Sequence, residues 1–181
     1  PVLIDIPKDV QAEEYDFIYP EEPVKLPGKN PLDKEIDKKS LGDAADLIAN
    51  AKRPVILAGH GILLSGASKE VIELSEKGDI PLSWTLLGSG AVPASHDLNM
   101  GMMGMHGEFA ANNAIQKADL LIACGMRFDD RVTGNTKTYS LDSKKIHIEI
   151  DPSEINKNVP VDVALVGDLK LVLKKLIPIL K

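Results

Sequence analysis

A single cysteine, Cys124, stands among 181 residues, which excludes an internal disulfide and suits a reducing compartment. Its thiol is expected to pack as a small apolar group rather than to react. Long apolar runs are missing too. None approaches the roughly 20 residues of a membrane span, and no basic segment with an apolar core opens the chain. The expectation is therefore a cytoplasmic chain without a membrane partner. Positive charge is in deficit, with 21 Lys and Arg against 27 Asp and Glu and a formal net charge of -6. That balance excludes sequence-independent binding to nucleic acid, which demands a basic face. Four histidines are present, but none pairs with a cysteine, a histidine or a carboxylate at ligand spacing on one element, so no metal ligand is assigned. A P-loop, a nucleophile elbow and a spaced acid-base pair are all absent, and no residue is assigned a catalytic role.

What is present is an alternation of short apolar runs with helical patterns in a chain that is 44% hydrophobic and 27% charged. The opening PVLIDIP reads as a strand ending a preceding unit of a longer polypeptide, over residues 1–10. Residues 11–36, with Pro20, Pro23, Pro27 and Pro31, read as an extended surface linker. From 37 to 181 the pattern cycles. Ser40 is a candidate N-cap for a helix carrying Leu41, Ala44, Ala45, Leu47, Ile48 and Ala51, and Pro54 stops it before the strand VILA. A helix over 67–76, a strand over 81–84, a helix over 108–117 and a strand over 120–124 follow. A strand over 145–150, a short helix over 152–156, a strand over 163–166 and a helix over 169–180 complete the series. Such alternation implies an α/β fold, a parallel sheet with helices on both faces.

The segment GMMGMHGEFAANNAIQKADLLIACGMRFDDRVTG, residues 101–134, is the most informative. Gly101, Gly104 and Gly107 allow close backbone approach to a ligand, and a helix starting at Glu108 offers its N-terminal N–H groups to phosphate. His106 is either a helix-start residue bonded to backbone or a group lying over a ligand. The loop after the 120–124 strand carries Arg127, Asp129, Asp130 and Arg131. These four are either solvated ion pairs or forked donors to a diphosphate, oriented by the aspartates. Gly59-His60-Gly61 lacks the third glycine of a dinucleotide fingerprint. Thr85 follows another strand end, and Trp84 before it is either core or a stacking platform. Glu149, in HIEID, is placed like the acid that accepts from a ribose, and Asp168 is either a ligand contact or the N-cap of the last helix.

Taken together, LGSGAVPASHDLNMGMMGMHG, GMRFDDRVTG, IHIEIDPSEINKN and VGD resemble the central domain of acetolactate synthase (acetohydroxyacid synthase) large subunits. PVLIDIPKDV resembles the end of that family's N-terminal domain, and the likeness covers essentially the whole chain in order. It implies a three-layer, doubly wound, mostly parallel six-stranded Rossmann-like sheet holding FAD without net redox chemistry. The implied enzyme uses thiamine diphosphate and magnesium to condense two pyruvates, or pyruvate and 2-oxobutyrate, with decarboxylation, in branched-chain amino acid biosynthesis. Carried over, the likeness assigns flavin contacts to Gly59, Gly61, Thr85, Leu86, Gly104, Met105, His106, Gly125, Arg127, Asp129, Arg131, Val132, Glu149, Ile150, Glu154, Gly167 and Asp168. It places Met105, Asp130 and Arg131 toward the substrate channel. Implied partners are the other domains of the catalytic subunit, a dimer or tetramer of that subunit, and a regulatory small subunit. The activating glutamate and the metal motif of the family are not in these residues, so this stretch alone is expected to be inactive. GHG and Trp84 depart from the family's small residues. The alternatives are the middle domain of pyruvate oxidase or glyoxylate carboligase, an NAD-binding domain, or a scaffold with an empty pocket.

Overall fold

The computed structural model, which describes residues 3–19, 21 and 35–180, arranges the apolar runs as one central sheet. Its six strands are β1 (Pro54–Ala58), β2 (Leu82–Trp84), β3 (Asn99–Met102), β4 (Leu120–Cys124), β5 (Lys144–Glu149) and β6 (Val163–Val166). They lie in the order β3-β2-β1-β4-β5-β6, and every neighbouring pair is parallel. Parallel neighbours need long crossovers, and right-handed crossovers change face when the strand order reverses direction. Outward from β1 through β2 the covering helices are α3 (Gly61–Ser65) and α4 (Ser68–Gly78), with α2 (Lys38–Asn50) and α7 (Leu169–Leu176) on the same face. Beyond the reversal, α5 (Phe109–Lys117) and the loops carrying Phe128, Tyr139 and Val159 cover the other face.

Strand periodicity sorts the core. Ile56 and Ala58 face the α2, α4 and α7 layer, whereas Val55 and Leu57 face the α5 layer. Leu120, Ile122 and Cys124 alternate with Leu121 and Ala123 in the same way. Covering both faces is what makes these strands read as unbroken apolar runs. Cys124 is fully buried, and burial pushes its thiol up to about 12.

Several boundaries differ from the sequence reading. Residues 3–7 form no strand; a short helix, α1 (Lys8–Ala12), follows them, and Leu3, Ile4 and Ile6 stay exposed. A strand needs a neighbour for its backbone groups, and among the described residues none pairs there. Most of the proline-rich linker lies outside the described residues. The first long helix is capped by Asp37 rather than Ser40, since the Asp37 carboxylate accepts from the Ser40 amide at 2.9 Å and its hydroxyl at 2.7 Å. The stretch after Gly59-His60-Gly61 is itself helical, as α3. β3 occupies residues read as a glycine turn, and the helix expected over 152–156 is a single 3₁₀ turn, Pro152–Glu154. Pro178 breaks the final helix, which ends at Leu176 and passes into a 3₁₀ turn.

Candidate functional site

Because all six strands run the same way, their carboxyl ends share one edge, and every residue assigned from the sequence lies there. Gly59 and Gly61 follow β1, Thr85 and Leu86 follow β2, and Gly104, Met105 and His106 follow β3. Gly125, Arg127, Asp129, Arg131 and Val132 leave β4, and Arg131 and Val132 lie within a short helix, α6 (Asp130–Thr133). Glu149 ends β5 ahead of Ile150 and Glu154, and Gly167 and Asp168 follow β6. At about 4.8 Å between strands, six strands spread this edge over about 24 Å. Hydrogen bonds extend the ladder one rung past the strands. The amides of Met103, Thr85, Gly59, Gly125 and Gly167 donate to the carbonyls of Trp84, Ala58, Cys124, Ile148 and Glu149, all at 2.9 to 3.0 Å.

Strand order reverses between β1 and β4, the position where open parallel sheets form a crevice. Here Gly61 donates to the Gly125 carbonyl at 2.8 Å. A Cβ built on Gly61 would lie 2.7 Å from the Gly125 Cα, and one on Gly59 would strike the Gly125 carbonyl. These glycines thus meet one another's backbone, not open space for a ligand. Gly104 is similar: with φ +97°, its Cβ position lies 2.5 Å from the Arg131 carbonyl. That carbonyl accepts from the Met105 amide at 2.8 Å, so the turn after β3 is tied to the loop after β4.

The charged groups divide into structural and uncommitted. Asp129 caps α6, accepting from the Arg131 amide at 3.0 Å, and Asp168 caps α7, accepting from the Leu171 amide at 3.0 Å. Glu149 accepts from the Ile150 and Asp151 amides through Oε1 at 2.8 and 3.2 Å. Glu154 pairs with Lys157 at 2.7 Å. Arg127 touches Asp129 only at 3.4 Å with its side chain 66% exposed, a pair worth little in water. Arg131 is exposed and contacts the Met105 sulfur at 3.7 Å. Two guanidiniums on one loop are therefore exposed and only weakly held. Along the same edge Leu86, Met105 and Ile150 are 71%, 60% and 45% exposed.

His106 is exposed in the turn before α5 rather than on the helix, which starts at Phe109 behind Glu108. The Thr85 hydroxyl accepts from the Gly88 amide at 3.1 Å and closes a 3₁₀ turn. Trp84 packs against the core on the α4 side. Gly104, Met105 and Val132 also line a cavity of about 260 Å³ with Asn112, Asp130 and Tyr139. Two residues of the site's framework escaped the sequence reading. Asn112 holds Gly104 at both ends, accepting from its amide and donating to its carbonyl, each at 2.9 Å. His147 lies fully buried beneath the arginine loop. A polar residue at an inward position of a helix or strand is the signal that could have found both.

A parallel sheet that reverses its strand order between β1 and β4 and gathers its strand exits, with Arg127 and Arg131, on one edge defines a doubly wound class of α/β domain. The chain belongs to the family described as thiamine pyrophosphate enzyme, central domain, which matches residues 41–176. It is 50% identical over 179 residues to a probable acetolactate synthase large subunit from Methanococcus aeolicus, covering 98% of this chain and 30% of that protein. The acetolactate synthase large subunit of Corynebacterium glutamicum is 46% identical over 177 residues, 98% of this chain and 28% of its own length. That of Buchnera aphidicola is 39% identical over 183 residues, 100% of this chain and 32% of its own length. The chain thus spans about a third or less of these relatives. Among the described residues no helix is long and apolar enough to cross a membrane.

Proposed function

We propose that these residues are the FAD-holding central domain of an acetolactate synthase large subunit. The observation that carries this reading is the placement of all seventeen assigned residues on the carboxyl edge of one parallel sheet, in a chain 39–50% identical to such subunits. An extended dinucleotide suits an edge of that length. The guanidiniums of Arg127 and Arg131 face the diphosphate near the β1/β4 crevice, where planar forked donors match its oxygens. Glu149, Glu154 and Asp168, at the β5 and β6 end, serve the adenosine half. Thr85, Leu86, Met105 and His106, at the β2 and β3 end, serve the flavin half. Glu149 keeps its ribose-facing carboxylate in place through the two amide bonds it accepts.

In the whole protein, thiamine diphosphate with magnesium supplies the nucleophilic carbon and electron sink for joining pyruvate to a second 2-oxo acid with loss of carbon dioxide. The residues described here hold the flavin without passing electrons through it, and Met105, Asp130 and Arg131 border the approach to the reacting centre. The other domains of the subunit, a further copy of it and a regulatory small subunit are its partners, in the cytoplasm. By themselves these residues turn over no pyruvate.

The test is a titration of the full chain with FAD, followed by flavin fluorescence, with and without Arg127→Ala and Arg131→Ala together. Charge-assisted hydrogen bonds contribute about 1.5–3 kcal/mol each, so with partial solvent screening the double change raises Kd by about 100-fold. An unchanged Kd would contradict the assignment. Saturable binding of NAD in competition with FAD would favour a nicotinamide domain instead.

A further inference from the structure

We infer that His147 is the positioning residue of the arginine loop, setting the direction in which Arg127 is presented to the dinucleotide diphosphate. This rests on the flavin reading above. β5 is covered on both faces, yet it turns two polar residues toward the α5 layer, Lys145 and His147, while Ile146 and Ile148 enter the opposite core. Lys145 is accounted for by the fold itself, since its Nζ donates to the carbonyls of Ser140 and Ser143 at 3.0 and 2.9 Å and closes that turn. His147 does something different. It is completely buried, and its Nε2 lies 2.7 Å from the carbonyl oxygen of Met126, in the loop leaving the neighbouring strand.

A carbonyl only accepts, so Nε2 carries the proton and His147 is an Nε2–H donor. Burial pushes the ring's pKa down, with the Met126 bond opposing it, in keeping with the neutral form. The same ring stands edge-on to Phe128, with centroids 5.1 Å apart and planes at 69°. Phe128 in turn stands edge-on to Tyr139 at 6.1 Å, and its carbonyl accepts from Asn158 at 2.8 Å. His147 therefore grips the loop at residues 126 and 128, the two neighbours of Arg127. Met126 and Phe128 are drawn inward, 4% exposed each, and the residue between them must point outward. Arg127 does, with its side chain 66% exposed. A leucine at 147 would fill much of the space at lower desolvation cost, so packing alone does not call for an imidazole.

The test is a double-mutant cycle on the full chain, read as FAD affinity by flavin fluorescence. His147→Leu is expected to raise Kd about tenfold where Arg127 is present and less than about twofold in an Arg127→Ala background, because the histidine acts through the arginine. His147→Gln, whose amide can reach Met126, is expected to restore affinity to within about threefold. If His147→Leu does not fold, His147→Asn takes its place, with its amide at the position of Nδ1. Equal fold-changes in both backgrounds, or no change in either, would overturn the inference while leaving the flavin reading standing. Failure of the unaltered chain to bind FAD would overturn the flavin reading and this inference with it.

Discussion

Gly125 and Gly134 both hold a positive φ, 59° and 58°, at the two ends of the arginine loop, but Gly134, at ψ -130°, lies outside the left-handed helical region, and their surroundings differ. A Cβ on Gly134 meets nothing within 4 Å, whereas one on Gly125 lies 2.7 Å from the Gly61 Cα. Gly134→Ala is expected to cost about 1–3 kcal/mol from backbone strain alone, because φ 58° with ψ -130° is a region open essentially to glycine. Gly125→Ala adds an overpacking cost of about 1–3 kcal/mol. Thermal unfolding checks both, and a Gly125→Ala Tm equal to that of the unaltered chain would contradict this packing. The contrast also marks what was legible in single residues. Glycine spacing pointed to the right loops, but a sequence shows only where a side chain is missing, not what fills the space. At Gly59, Gly61 and Gly104 the occupant is neighbouring backbone. Asp168 does cap α7, through one carboxylate oxygen, and Trp84 packs against the core.

At the scale of elements, the opposite edge of the sheet is pinned by Asp119. Its carboxylate accepts from the amides of Lys52 and Arg53, each at 2.8 Å, ahead of β1, and its carbonyl accepts from the Lys144 amide at 2.9 Å, where β5 begins. Burial pushes the Asp119 carboxyl up, but those two amides and the Arg53 charge outweigh it and hold the pKa below the ordinary 3.8. A depressed carboxylate pKa stabilises the fold above 3.8, and that contribution is lost as pH falls through the folded value. Asp119→Asn is therefore expected to lower stability by ~1 kcal/mol at neutral pH and to flatten the decline below pH 3.8. Denaturant melts across that range check it; parallel declines would contradict it. β4 and β6 were legible to the residue because long apolar or β-branched runs mark buried strands. β3 was not. Its four residues, NMGM, are all half-buried, with Gly101 at φ +92° and a register shift against β2, so neither alternation nor β-branching announces it.

For the molecule as a whole, one physical fact organises the account: a parallel sheet gathers every strand's exit on one edge. The chain carries a net charge of -6, and on that edge Arg127, lightly paired with Asp129, and Arg131, against the Met105 sulfur, are exposed cations. The edge itself was legible, because each motif follows an apolar run that ends in a turn. Its internal lacing was not, since the bonds from Asn112 to Gly104 and from His147 to Met126 join segments 8 and 21 residues apart. The most direct measurement is amide hydrogen exchange of the full chain with and without saturating FAD. The account predicts slowed exchange at residues 59–61, 85–88, 125–132 and 149–155, with residues 52–53, 78–80 and 140–143 unchanged at the opposite edge. Protection confined to that opposite edge, or none at the carboxyl edge, would contradict it.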